Sequence, residues 1–226
     1  MNTESNDNIQ KALALFPIKP FMYERDIKQA MSACSFCLVA SSKSGKTTLL
    51  KHIISKLFDG EIKVLMTMSP SAEIYASMKK DCAFSPTYLP DIIKTCYTIN
   101  KHTKNHYKFL IIIDDVVGFK ADKEMTKLMA LYRNSGMSCV IAGQDMQMLN
   151  PTGRANCNNM LLGKLNSAAR VESVVKDYCR FFFPKNLSLD EKCELYNRLT
   201  MDHCFLHINN LENTMIRVRL SASQVS

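Results

Sequence analysis

One stretch of the sequence, residues 40–47, constrains the fold more than any other. It reads Ala-Ser-Ser-Lys-Ser-Gly-Lys-Thr, after an apolar run at 35–39 and before a segment at 48–58 with apolar residues at helical spacing. A tight loop between a strand and a helix aims backbone N–H groups and the positive helix end at bound phosphates. The stretch therefore predicts a phosphate-binding loop, or P-loop, for a nucleoside triphosphate.

Individual residues of this loop have separate predicted roles. Gly45 lets the backbone approach the phosphates closely, Lys46 supplies a charge for the β- and γ-phosphates, and the Thr47 hydroxyl suits Mg²⁺. Ala40 stands where the usual motif has glycine, a departure that is tolerable if its φ is negative. Lys43 is either solvated or close to the phosphates. The predicted nucleotide-binding residues are Ser42, Lys43, Ser44, Gly45, Lys46, Thr47 and Thr48.

A second motif lies about seventy residues downstream. The continuous apolar run 109–113 ends in Asp114 and Asp115, as expected of a central parallel strand of the Walker B type. Asp114 is the predicted Mg²⁺ ligand, and Asp115 the predicted group that polarises the attacking water. The alternative is that the two aspartates simply cap the next turn.

A third motif is the apolar run 138–143, which ends in Gln144. Ligands of a doubly wound parallel sheet collect at the carboxyl ends of its strands. If this strand lies between the P-loop strand and the Walker B strand, Gln144 lies beside the γ-phosphate and acts as its sensor. Otherwise Gln144 is an ordinary loop residue.

Strands and helices alternate along the chain, which predicts an α/β three-layer P-loop NTPase sandwich of the ASCE or RecA-like kind, with a mostly parallel sheet. The predicted strands are 35–39, 62–68, 109–114, 138–143 and 159–163. The predicted helices are 47–58, 71–80, 122–133, 167–180 and 188–200. A hairpin is expected from 204–208 with 215–220.

Three segments are expected from this reading of the chain. An arm at 1–20 either docks on a neighbouring molecule or remains loose, and the ATPase core covers 21–165. Residues 166–226 form a small appendage of helices and hairpin packed on the core.

The three motifs together resemble the FtsK–HerA superfamily of DNA-pumping ATPases. The match is best to the genome-packaging ATPase of poxviruses, giant viruses and virophages. The residues that carry it are the P-loop, Asp114 with Asp115, the segment 133–138 leading to Gln144, and 154–162. The resemblance implies hydrolysis of ATP with Mg²⁺, coupled to movement of double-stranded DNA without sequence readout. It also implies a homo-hexameric or pentameric ring, a capsid partner, and a place in the host cytoplasm or the virion.

A cation that stabilises the reacting phosphate is also expected. The candidates are Arg133 and Arg154, with Arg170 behind them, and the arginine is supplied either by its own chain or by a neighbour. Arg133 is alternatively an ordinary cation at a helix end.

Composition adds weaker indications. The net charge of +8 favours polyanions, although the densest basic stretch, 101–108, is expected at the amino ends of the strands and is better explained as a solvated loop. Nine cysteines without framework spacing favour buried thiols in a reducing, intracellular compartment. No apolar stretch approaches about eighteen residues, so no transmembrane span is expected.

Two other classes of function stay open. One is a P-loop kinase or NTPase that acts on a small molecule, and the other is a nucleotide-regulated DNA-partitioning switch that barely hydrolyses ATP. Asp115 beside Asp114, together with Gln144, favours activation of water over either alternative.

Overall fold

The computed structural model describes residues 3–21, 33–57, 62–67, 82–114 and 122–221. Its helices are α1 (Thr3–Ala14), α2 (Lys46–Leu57), α3 (Leu89–His102), α4 (Asp122–Leu131), α5 (Pro151–Ala155), α6 (Ala168–Val174) and α7 (Leu189–Leu199). Its strands are β1 (Ile18–Pro20), β2 (Ser35–Val39), β3 (Ile62–Thr67), β4 (Cys82–Phe84), β5 (Phe109–Asp114), β6 (Met137–Gly143), β7 (Asn159–Leu162), β8 (Phe205–Asn209) and β9 (Thr214–Arg219). A 3-10 turn, Tyr132–Ser135, follows α4, and a π-helical turn, Val175–Cys179, follows α6.

The described strands form one sheet in the order β1-β9-β8-β7-β2-β6-β5-β3-β4. Strand β8 is antiparallel to its neighbours β7 and β9, whereas every other adjacent pair is parallel. The predicted mostly parallel α/β sheet is therefore confirmed.

Hydrophobic residues cover both faces of the sheet, because successive side chains of a strand point in opposite directions. Cys37 and Val39 of β2 join a cluster with α1, α3, α4, α6 and α7. Phe36 and Leu38 join the cluster on the other face, which holds four buried residues of α2. Helices thus pack on both faces, as the predicted three-layer sandwich requires.

Most predicted elements are present. Strands 35–39 and 109–114 have their predicted bounds, and the predicted helix 122–133 ends at Leu131 and continues as the 3-10 turn. The predicted helix 71–80 lies outside the described residues, as does Asp115.

Five elements were not predicted. One is helix α1, which lies in the segment expected only as an arm. Strands β1 and β4 have only three residues each, too few for a periodic signal. Helix α5 is similarly short. Helix α3 was missed because its buried stripe of Leu89, Ile93, Cys96 and Asn100 contains a polar residue. The Asn100 side chain donates to the Ser135 carbonyl over 2.5 Å, which explains why an amide occupies that stripe.

The predicted C-terminal hairpin continues the central sheet. Strand β8 pairs with β7, and His207 Nε2 lies 3.0 Å from Asn159 Oδ1 across that pair. Burial lowers the pKa of His207 to about 4, so the imidazole is neutral near pH 7. The hairpin strands therefore pack in the same hydrophobic core as the P-loop strand β2.

Helix α1 and Phe16 of the N-terminal arm pack on the rest of the chain. Ile9 and Ala12 of α1 are buried, and Phe16 contacts the Phe183 ring edge to face at 5.8 Å between centroids. These residues share a cluster with Tyr196 of α7. One hydrophobic cluster contains residues of all three predicted segments. The division of the chain at residues 20 and 165 stays a prediction.

Two further expectations concern membranes and thiols. Within the described ranges, no helix has the length and hydrophobicity to cross a membrane. The eight cysteines whose side chains are described are all free, and seven of them are buried. The predicted buried thiols are therefore present, whereas the reducing compartment stays a prediction.

We expect the packing of α1 to contribute to the stability of the whole chain. Replacing the buried Ile9 with alanine should lower the free energy of unfolding by about 2 to 5 kcal/mol, because it leaves a cavity in the main cluster. Urea denaturation measures the loss. The matched control is Leu15→Ala, since Leu15 is 65% exposed and should change little. Equal, small effects of both substitutions would contradict the docking of α1.

Candidate active site

The predicted P-loop connects β2 to α2 and contains two residues with positive φ. Lys43 and Gly45 have φ angles of +61° and +87°, and Ala40 is not among the residues with positive φ. A Cβ on Gly45 would lie 3.2 Å from His203 Nδ1, so both its φ and its contacts require glycine. The condition for tolerating alanine at position 40 is met.

Hydrogen bonds fix this loop from two directions. Inside it, the Ser44 hydroxyl donates to the Ser41 carbonyl over 2.6 Å. From outside, the Ser41 N–H donates to the Lys164 carbonyl over 2.8 Å, and the Asn166 N–H donates to Ser41 Oγ over 2.9 Å. The loop is therefore braced by the segment that follows β7.

Ala40 takes part in the same bracing. Its side chain is fully buried, and a Cβ built on Gly163 would lie 2.9 Å from the Ala40 Cβ. The Gly163 carbonyl accepts a hydrogen bond of 2.7 Å from the Tyr196 hydroxyl of α7. The glycine at position 163 therefore leaves the space that the Ala40 methyl group occupies.

Strand order brings Gln144 to the P-loop. Strand β6 lies between β2 and β5, so Gln144 follows the strand adjacent to β2. Gln144 and the loop line one pocket of about 310 Å³. The other lining residues are Ser41, Ser42, Lys43, Gly45, Lys46, Thr47 and Thr48. The condition set for Gln144 as a γ-phosphate sensor is therefore fulfilled. Ser44 does not line this pocket, because its hydroxyl bonds within the loop.

The predicted Mg²⁺ ligands have the right chemistry and surroundings. Asp114 ends β5, is only 2% exposed, and pairs in register with Ala142 of β6. Lys46, at the start of α2, is 8% exposed. Buried charges of this kind require partners of opposite sign. The Asp114 carboxylate and the half-buried Thr47 hydroxyl are hard oxygen ligands, which fit Mg²⁺.

The three candidate arginines lie in different places. Arg133 precedes β6, so its backbone lies at the amino edge of the sheet, and β6 separates that edge from Gln144 by about 23 Å at the usual rise of a seven-residue strand. Arg154 lines a second cavity of about 270 Å³, which Gln144 also lines. Arg170 pairs through Nε with Asp145 at 3.0 Å and donates through Nη1 to the Gln144 carbonyl over 3.4 Å.

The basic stretch 101–108 lies where it was expected. It connects α3 to the amino end of β5, and the Ile62 N–H at the start of β3 donates to the Lys108 carbonyl. All of its residues except Thr103 are exposed. This loop is therefore at the opposite edge of the sheet from the P-loop, in solvent.

Sequence reasoning missed the residues that hold the site in position. Lys164 and Asn166 bond to Ser41 through their backbone groups. Only their position after a parallel strand could have indicated this role, because carboxyl ends of parallel strands meet at one edge. Tyr196 gave no signal, since only the tertiary packing of α7 brings its hydroxyl to Gly163.

Comparison with solved structures bears on this architecture. No protein-family model matches the sequence, and no curated protein matches it. The genome-packaging NTPase B204 from Sulfolobus turreted icosahedral virus 2, in complex with ATP-gammaS, is 15% identical with a TM-score of 0.59, over 84% of this chain and 98% of that one. The chain has the fold of this packaging NTPase. The resemblance to FtsK–HerA-type ATPases is thereby confirmed at the level of fold.

Two other structures are similar. The DNA-packaging ATPase B204 from Sulfolobus turreted icosahedral virus is 12% identical with a TM-score of 0.57, over 84% of this chain and all of that one. The pCW3 conjugation coupling protein TcpA is 14% identical with a TM-score of 0.56, over 85% of this chain and 60% of its own. The similarity therefore extends over most of this chain.

Restoring the usual glycine at position 40 should lower the free energy of unfolding and should leave the affinity for nucleotide unchanged. Ala40→Gly removes a buried methyl group and adds backbone freedom, which together cost about 1 to 2 kcal/mol of stability. Urea denaturation gives that loss, and calorimetric titration with a non-hydrolysable ATP analogue should give an unchanged affinity. Clearly tighter binding by the variant would show that Ala40 impairs the loop.

Proposed function

We propose that this chain is an ATPase that moves double-stranded DNA, and that the DNA is a viral genome packaged into a preformed capsid. The observation that supports the proposal best is the strand order β2-β6-β5, which places Gln144 in one pocket with the P-loop and Asp114 on the next strand. A phosphate sensor beside a buried Walker B carboxylate suits hydrolysis coupled to motion.

The chain's own residues divide the work of hydrolysis. The loop N–H groups and Lys46 hold the β- and γ-phosphates, while Thr47 and Asp114 would hold Mg²⁺. That ion, when bound, neutralises charge on the phosphate oxygens. Asp115 orients a water whose oxygen adds to the γ-phosphorus as the bond to the ADP oxygen breaks, and its carboxylate accepts the proton that this water loses. The neutral Gln144 amide bonds both a γ-phosphate oxygen and that water.

We propose different roles for the two main arginine candidates in stabilising the transition state. Arg154 acts within its own chain, because it lines the cavity that adjoins Gln144. Arg133, at the far edge of the sheet, acts on the site of a neighbouring subunit in a hexameric or pentameric ring. Such arginines are worth about 10³- to 10⁵-fold in rate.

The proposed partners follow from charge and from the resemblance. A net charge of +8 attracts DNA through its phosphates, and a motor that passes every base pair needs no base readout. A capsid component would recruit the ring, in the host cytoplasm where virions assemble or in the virion.

Steady-state ATP hydrolysis with and without long double-stranded DNA tests this function. We expect DNA to stimulate turnover, and we expect the stimulation to weaken between low and moderate salt because phosphate contacts release counterions. Lys46→Ala and Asp115→Asn should both abolish it, the first by removing a phosphate ligand and the second by removing the base.

The contrary outcomes identify the alternatives. ATP binding with hydrolysis indifferent to DNA, even with a capsid component present, would exclude the motor in favour of a nucleotide-regulated switch. Phosphoryl transfer to a small molecule would establish a metabolite kinase.

A further inference from the structure

Arg154 lines two separate cavities. The inner one, of about 270 Å³, extends from Gln144 along α6 and includes Ser167 and Ser173. The outer one is a wide groove of about 800 Å³, lined by Arg154, Lys176 and Arg180 together with the carboxylate of Asp177. Because Arg154 lines both, its half-buried side chain marks the point where they adjoin.

Two arginines line the inner cavity, and they differ in their ion pairs. Arg170 on the same wall is paired with Asp145, and Lys176 in the groove is paired with Glu172. No carboxylate among the described residues forms an ion pair with Arg154. Burial raises the pKa of Tyr178 in the groove, and the Arg154 guanidinium partly opposes that rise. Its positive field therefore reaches from the cavity into the groove.

A doubly charged anion of tetrahedral shape suits this cavity. A guanidinium binds phosphate oxygens through paired N–H groups, and the Ser167 hydroxyl of the wall can donate to a remaining oxygen. The Ser173 hydroxyl donates to Asp177 Oδ2 over 3.5 Å. The volume leaves room for one such anion with several waters, each of which occupies about 30 Å³. The cavity begins at Gln144, the group placed next to the γ-phosphate.

We propose that the cavity between Gln144 and Arg154 binds inorganic phosphate, and that the adjoining groove is its path to solvent. This inference rests on the proposed function, since ATP hydrolysis produces the phosphate on the Gln144 side of the P-loop. Directly after hydrolysis ADP still occupies the P-loop, so the phosphate cannot leave through the P-loop pocket. The guanidinium first stabilises the reacting phosphate and then receives it as product.

Equilibrium binding of inorganic phosphate to the nucleotide-free protein tests the site directly. Isothermal titration at constant ionic strength should be performed on Lys46→Ala, which lacks a main phosphate ligand of the P-loop. We expect this protein to retain one phosphate site. Adding Arg154→Gln should weaken that site about tenfold or more, as for the loss of a hydrogen bond to a charged group. Arg219→Gln, on β9 outside both cavities, should leave it unchanged.

A pair of variants at Ser173 tests the same site without changing Arg154, so that a folding defect caused by Arg154→Gln does not decide the result. Ser173 is exposed on α6, so Ser173→Glu in the Lys46→Ala background should fold and should repel phosphate, whereas Ser173→Gln should bind it. Absence of phosphate binding to Lys46→Ala, or equal binding by Ser173→Glu and Ser173→Gln, would overturn the proposal. Neither result involves ATP turnover, so failure of this site is distinct from failure of the ATPase.

Discussion

The parallel pairing of β6 with both β2 and β5 is the constraint on which the site depends. In register, Leu38 of β2 lies opposite Ala142 of β6, and Ala142 lies opposite Asp114 of β5. The Ala40 N–H then donates to the Gly143 carbonyl, which extends the ladder into the P-loop. Three groups distant in sequence thus end at one edge of the sheet. A slip of one residue would turn their side chains to the wrong face.

The C-terminal third of the chain holds this edge in place. The backbone of Lys164 and Asn166 bonds to Ser41, and Tyr196 fixes Gly163 through a buried hydroxyl. Buried polar groups that are fully bonded rigidify their surroundings. These hydrogen bonds fix the position of the P-loop relative to the end of β7. The stability of the nucleotide site is tied to the helices and hairpin that the sequence alone presents as an appendage.

The sequence sufficed for the central strands and the motifs at their ends. Strands β2, β5 and β6 are buried on both faces and read as continuous apolar runs, a strong signal. The condition attached to Gln144 could only be settled by strand order, which no local pattern contains. Short edge strands such as β1 carry too few residues to be periodic. The docking of Phe16 on Phe183 depends on contacts across most of the chain.

The two arginine candidates illustrate a further limit. That Arg133 lies at the far edge follows from its place before β6, and the sequence could have indicated it. That Arg154 and Gln144 line one cavity could not be deduced from the sequence. This cavity arises from packing of α6 against the segment after β6. Residues that line a cavity from separate elements share no spacing in the sequence.

The most direct test of the central claim is the affinity of ATP-gammaS relative to ADP, measured with magnesium for the wild-type chain and for Gln144→Ala. The account predicts that the variant loses several-fold of its preference for the triphosphate while ADP binds as before, because only the γ-phosphate meets this amide. Gln147→Ala is the matched control, since Gln147 lines the second cavity but not the P-loop pocket. An unchanged ratio, or an equal loss for both nucleotides, would contradict a γ-phosphate sensor at the end of β6.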